Sequence, residues 1–169
     1  HHALARRAAG ESIVLLKNEG GILPLKAGEK VAVIGDFAKT PRYQGAGSSA
    51  VNSIKVDSFL DCLAESGLVS ALAQNANVVL LCMGLDEIKE SEGIDRSNMK
   101  LAQSQLDLLA AVAAVNPNVI VLLSAGSSLE TEWLRDCKAL VYGCLGGQAG
   151  AGALVDVLTG AVCPSGKLA

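Results

Sequence analysis

The chain reads as an α/β protein, a three-layer α/β/α sandwich on a mostly parallel sheet. Three observations predict this. Short apolar runs of strand character alternate with segments of helical period, and each run is followed by a loop of Gly, Ser or Asp, the pattern of a parallel sheet with helices on both faces. Half the residues are apolar, but aromatics make up only 3% and Gly numbers 18, which suits close-packed helices on a sheet better than a β-sandwich. At 169 residues, 1–169 is expected to form a single domain.

The elements follow in order. Residues 3–17 are expected to be one helix, with Leu4, Ala8, Ser12 and Leu15 on one stripe and Arg6, Arg7 and Glu11 facing out. Asn18-Glu19-Gly20-Gly21 ends it, as Asn and Gly do near a C-cap. Lys30 to Gly35 is a β-branched run that reads as a buried parallel strand. A polar loop from Asp36 to about Val56 carries Pro41-Arg42-Tyr43-Gln44-Gly45-Ala46-Gly47-Ser48-Ser49, and loops of that length inside compact domains are often functional. Asp57 to Ser66 is expected to be a short helix with Phe59, Leu60 and Leu63 inward, stopped by Gly67. Glu65-Ser66-Gly67-Leu68 then runs into Val69-Ser70-Ala71-Leu72-Ala73 with little room for another strand. Val78 to Met83 is the next strand, and Asp86 to Met99 an acid-rich loop. Leu101 to Val115 has helical period, with Leu101, Leu108, Leu109, Val112 and Val115 on one face, and Pro117 breaks it. Asn118 to Leu123 is a strand, Ser124 to Ser128 leads into a helix around Glu130 to Asp136, and Ala139 to Tyr142 is another strand. Gly146-Gly147-Gln148-Ala149-Gly150 opens a last helix to about Leu158.

Composition removes several function classes. The net charge is −3 with a pI near 5.4, and Lys and Arg are scattered rather than striped, so no nucleic-acid partner is expected. No apolar run approaches the roughly 20 residues of a membrane span, and no basic segment followed by an apolar one marks a signal peptide. The expectation is no membrane partner and a cytoplasmic location. The five cysteines are odd in number and form no C-x-x-C, and the histidines are His1 and His2, so no metal or cofactor site is expected. Gly-x-Ser-x-Gly is absent and no internal His can serve a nucleophile. The loops at Gly45–Ser49 and Gly146–Gly150 lack dinucleotide spacing and a following Gly-Lys-Ser/Thr, so close packing of a helix on the sheet explains their glycines better than phosphate binding. Acid–base chemistry here would fall to carboxylates, and paired carboxylates point to glycoside hydrolysis.

The most informative stretch is Lys89-Glu90-Ser91-Glu92-Gly93-Ile94-Asp95-Arg96, just past the apolar run Val78–Met83. In open α/β sheets ligands bind beyond the carboxyl ends of strands. A Glu held there beside an Arg is a candidate proton donor or acceptor. Read locally, the stretch fits a solvated polar turn better.

The wider pattern resembles glycoside hydrolase family 3, specifically its C-terminal α/β-sandwich domain. The resemblance rests on Ala8–Asn18, Ile22–Leu25, Val31–Gly35, Arg42–Ser49, Glu90–Arg96, Met99 with Leu101, Gly147–Gly150 and Pro164–Leu168, in the family's order. It implies part of a retaining, exo-acting beta-glycosidase of beta-glucosidase type that hydrolyses terminal beta-linked sugars, most often glucose. An N-terminal (β/α)8 barrel would carry an Asp nucleophile, and this domain would supply the acid/base Glu to a shared site. Glu92 is the acid/base by resemblance, because it directly precedes Gly in Glu-Gly-x-Asp-Arg, and Glu90 is the alternative because loop length varies there. Arg42, Gln44 and Ser48 would border the sugar or meet the barrel, and Asp95 and Arg96 would fix the loop by ion pairing. The chain departs from the family pattern in containing no barrel and in a junction near Leu68-Val69 that looks a strand and a helix short. The family domain is also expected to continue past Lys167-Leu168-Ala169. Alone, the chain is not expected to hydrolyse glycosides. The competing reading is a non-catalytic scaffold of the same fold that binds sugar or a partner protein, with a nucleotide-binding fold a weaker third.

Overall fold

The computed structural model describes residues 1–168. In chain order the elements are α1 (His2–Ser12), β1 (Val14–Asn18), β2 (Lys30–Ile34), α2 (Phe59–Ala64), β3 (Val69–Ser70), β4 (Val78–Gly84), α3 (Gln103–Val115), β5 (Val119–Ser124), β6 (Ala139–Tyr142) and α4 (Gly150–Leu158), with short 3-10 turns between them. The strands form one six-stranded sheet in the order β1-β6-β5-β4-β2-β3. β1 runs antiparallel to β6, and every other pairing is parallel.

Alternation along the strands builds the three layers. Leu80, Cys82, Ile120, Leu122 and Val141 pack with Ala9 of α1, Phe59 and Leu63 of α2, and Ala153 and Val157 of α4. Val79, Leu81, Met83, Val121 and Leu123 point the other way, against Leu109 and Val112 of α3 and Trp133 of the 3-10 turn Glu132–Asp136. Every residue of β4 is buried, as expected of a central strand covered on both faces. The α/β/α sandwich predicted from the sequence is therefore the fold observed.

Several elements differ from expectation. Residues 3–17 are not one helix. Ile13 takes an extended backbone (φ −63°, ψ 135°), and Val14–Asn18 forms β1. Local periodicity cannot see the cause, which is the open edge of β6: Val14 and Leu15 pair there with Tyr142 and Val141 and satisfy its ladder. Of the α2 residues expected inward, Phe59 and Leu63, four residues apart, are buried, whereas Leu60 is 42% exposed, because a helix of under two turns has a single inward stripe. In α3 the inward face is Leu109 and Val112, with Leu108 and Val115 37% and 51% exposed and Leu101 buried ahead of the helix. The helix expected around Glu130–Asp136 is the 3-10 turn Glu132–Asp136.

The crowded junction after α2 does hold a strand. β3 is only two residues long and pairs beside Lys30 and Val31, at the start of β2. A parallel crossover normally spans a dozen residues or more because the chain must climb back along the sheet. Here β3 never leaves the level at which β4 begins, since Val31 also pairs with Val78. The link stays short, held by Ala71 N–H donating to Val31 O (2.9 Å) and Asn77 N–H to Lys30 O (2.7 Å).

α1 is tied down by charge. Arg6 makes a bidentate pair with Asp156 (2.7 and 2.8 Å), and its guanidinium lies where a Cβ at Gly152 would stand, 2.8 Å from Cζ. His2 Nε2 pairs with the buried Asp57 (2.8 Å), which Lys55 also contacts at 3.1 Å. Burial pushes the Asp57 carboxyl up, but hydrogen bonds and charge from His2 and Lys55 outweigh it, so the net shift is below the ordinary value of 3.8. A depressed folded pKa contributes stability above the unfolded value that is lost as pH falls through the folded one. Asp57→Asn is therefore expected to lower Tm at neutral pH, with the gap to the parent chain closing as pH drops below 3.8, measured by thermal unfolding across a pH series.

Candidate functional site

Topology fixes where a site can form. β2 feeds α2 onto one face of the sheet, while its neighbour β4 feeds α3 onto the other. The loops leaving the carboxyl ends of these two strands part there, and in open α/β sheets that divergence is the ligand crevice. The two loops are the long polar loop after β2 and the acid-rich loop after β4.

They are stitched together across the crevice. Ala46 and Ser91 form an isolated parallel bridge. Ser48 N–H donates to Glu92 Oε2 at 2.7 Å. Gly47 makes the approach possible: its φ is +83°, and a Cβ there would stand 2.7 Å from Glu92 Cβ and 3.0 Å from Oε2. Gln44 shapes the turn behind it, accepting from Val51 N–H (2.9 Å) and donating to Val51 O (3.2 Å) and the Tyr43 hydroxyl (3.0 Å). Gly147 N–H donates to Tyr43 O (2.9 Å), so the second glycine-rich loop is spent on holding the first.

The two glutamates of the acid-rich loop occupy opposite environments. Glu92 is exposed at the crevice mouth. The side chain and backbone N–H of Ser48 both favour its charged form and hold its carboxyl below the usual carboxylate range, although only the N–H makes a hydrogen bond of full geometry. The Glu90 side chain is 9% exposed and turns inward. It accepts from Gly126 N–H at both oxygens (3.0 and 2.9 Å) and from the Ser127 hydroxyl (2.6 Å). Arg42 Nη2 faces it at 3.9 Å.

The other expected site residues fall in two groups. Ser48 and Gln44 do reach the crevice, Ser48 on Glu92 and Gln44 as a brace. Arg42 does not border an open surface in this chain: its side chain is 3% exposed, its Nε donates to Leu85 O (3.3 Å), and Nη1 and Nη2 have no hydrogen-bond partner among the described residues. Arg96 fixes the loop, but not through Asp95. Its Nη1 donates to the Ser127 hydroxyl (2.5 Å) and Ser128 O (3.2 Å), while Asp95 is exposed and forms no ion pair among the described residues. The reason is reach, since a guanidinium directed across the loop to β5 cannot also turn back on its chain neighbour.

Gly126, Ser127 and Ser128, in the loop after β5, are the residues that sequence reasoning missed. Their faint signal is a Ser-rich turn at a strand's carboxyl end; their partners lie over thirty residues away. An open groove runs alongside, lined by Lys89, Ile94, Asp95, Arg96, Asn98 and Ser128. The arrangement presents Glu92 as a solvent-facing carboxylate on a braced base, able to exchange a proton with a group entering the crevice.

The whole chain has relatives among known proteins. The profile of the glycosyl hydrolase family 3 C-terminal domain matches residues 13–169. The exo-alpha-(1->6)-L-arabinopyranosidase of Bifidobacterium longum is 44% identical over 201 residues, covering 100% of this chain and 27% of that protein. Thermostable beta-glucosidase B of Acetivibrio thermocellus is 41% identical over 194 residues, covering 100% of this chain and 26% of that protein. Both alignments are longer than the 169-residue chain, so these relatives carry segments with no counterpart here. Among solved structures, the GH3 beta-glucosidase of Bifidobacterium adolescentis superposes with a TM-score of 0.90 at 44% identity, over 96% of this chain and 27% of that one. The beta-D-glucoside glucohydrolase of Trichoderma reesei superposes at 0.87 with 30% identity, over 99% of this chain and 30% of that one. The chain thus spans about a quarter of the length of the curated relatives it matches. Profile, relatives and fold converge: the chain belongs to glycosyl hydrolase family 3 and corresponds to that family's C-terminal domain.

Proposed function

We propose that this domain supplies the acid/base carboxylate, Glu92, to a retaining, exo-acting beta-glycosidase of beta-glucosidase type. The observation that carries the reading is the contrast between the two glutamates: Glu92 stands open at the crevice mouth with one bound oxygen, whereas Glu90 is enclosed and fully engaged. The names of the relatives, an arabinopyranosidase and a beta-glucosidase, support a glycoside substrate.

In this reading a barrel domain covers the crevice and brings an Asp nucleophile to about 5–5.5 Å from Glu92, the spacing retention requires. The nucleophile attacks the anomeric carbon, the glycosidic C–O bond breaks, and the Glu92 proton passes to the leaving oxygen. Glu92, now a carboxylate, takes a proton from the water that attacks the same carbon and frees the nucleophile. The first step needs Glu92 protonated, yet Ser48 alone favours the charged form. A second carboxylate brought near and the loss of water on docking both push in the required direction. The Ser48 N–H then favours the carboxylate left once the proton has gone.

Two outcomes are expected in the full-length enzyme that carries this domain. Glu92→Gln should lower kcat on alkyl glucosides about 10²–10⁴-fold, while formation of the glycosyl-enzyme from an activated aryl glucoside, which needs no proton, stays within a few-fold in pre-steady-state assays. Equal loss on both substrates would sink the reading, and unchanged turnover would mark the domain as a binding scaffold. Gly47→Ala should cost up to about 100-fold in kcat with KM little changed in steady-state kinetics, because the new methyl displaces the Glu92 carboxylate.

A further inference from the structure

We propose that Glu90 is a positioning residue: it acts through Glu92, by pinning the loop that carries it to both neighbouring loops at once. The inference rests on Glu92 being the acid/base.

The geometry is a three-way lock. Glu90 and Glu92 flank Ser91, the residue that bridges to Ala46. Glu90 itself is reached from the β5 side by Gly126 N–H and the Ser127 hydroxyl. From the β2 side it is faced by Arg42, whose guanidinium crosses under the crevice, bonded to Leu85 O at the exit of β4. One carboxylate therefore joins the loops after β2, β4 and β5. Arg96 repeats the β4–β5 link through the same Ser127 hydroxyl. The turn before Glu90 is closed on its own account by Glu90 N–H donating to Asp86 O (3.2 Å) and Lys89 N–H to Asp86 Oδ1 (2.9 Å). What Glu90 adds is the register of that turn against the rest of the molecule. Glu92 then has two supports, Ser48 ahead of it and the Glu90 lock behind it.

The same contacts turn the Glu90 carboxylate away from a group entering the crevice. Both its oxygens accept hydrogen bonds from Gly126 N–H, one of them also from the Ser127 hydroxyl, and its side chain is only 9% exposed, beside the buried Arg42. Its chemistry is that of a second carboxylate fixed so that the first can move protons.

The test uses the full-length enzyme, an alkyl glucoside and an activated aryl glucoside, with Glu90→Ala, Glu90→Gln and Ser127→Ala beside Glu92→Gln. Glu90→Ala strips Arg42 of its counter-charge and can unfold the loop; Glu90→Gln keeps an acceptor for Gly126 and Ser127, and Ser127→Ala removes one donor to Glu90 together with the hydroxyl that accepts from Arg96. The expected result on the alkyl glucoside is a kcat loss of about 100-fold for Glu90→Ala, recovered to within about tenfold by Glu90→Gln, and a few-fold loss for Ser127→Ala. The aryl glucoside should be little affected by any of them in glycosyl-enzyme formation. Equal losses on both substrates, accompanied by a lower Tm, would overturn the positioning role in favour of a merely structural one. Wild-type kinetics in all three variants would also overturn it while leaving the Glu92 reading intact. If Glu90→Gln is as inactive on the alkyl glucoside as Glu90→Ala while Glu92→Gln is active, Glu90 is itself the proton donor and both readings fail together.

Discussion

Parallel pairing of β4 between β2 and β5 is the constraint from which the rest of this molecule follows. A strand with both faces buried must be apolar at every position, and Val78–Gly84 is. Its neighbours, being parallel, need crossovers, and the crossovers supply the helices that cover the two faces. Because the chain leaves β2 toward one face and β4 toward the other, the carboxyl ends of those strands are left with two long loops and a gap between them. Burying apolar surface in the sheet thus decides where a polar site can exist before any site residue is specified.

Much of this was legible in the sequence because β2, β4, β5 and β6 are continuous apolar runs ended by Gly, Ser or a turn. Leu109 and Val112 stood out for the same reason, as neighbours on one helical stripe. The misreadings share a different cause. Ile13-Val14-Leu15-Leu16 fits the tail of a helix as well as a strand, and only the vacancy beside β6 chooses. Leu60 and Leu108 are apolar but lie on the outer sides of α2 and α3, where an exposed Leu is ordinary. β3 is too short for any periodicity to register.

The site was half legible. The stretch Glu90–Arg96 announced itself by charge density, and its placement after an apolar run put it at a strand's carboxyl end. Which of its charges turn inward was not readable, because that depends on partners distant in sequence: Arg42 under Glu90, Ser127 between Glu90 and Arg96, Ser48 on Glu92. Arg42, expected at a surface, is buried for that reason. The outcome is that two chemically identical groups sit in opposite environments, Glu90 enclosed and Glu92 exposed, set by what each can reach.

The stub β3 lies beside Lys30 and Val31, at the opposite end of the sheet from the crevice. Chain added or removed there changes the width of the sheet's edge without touching the loops that converge on Glu90 and Glu92. Length variation between relatives can therefore accumulate at that corner under little selective penalty, and the same corner is the natural place to graft a foreign segment into this domain.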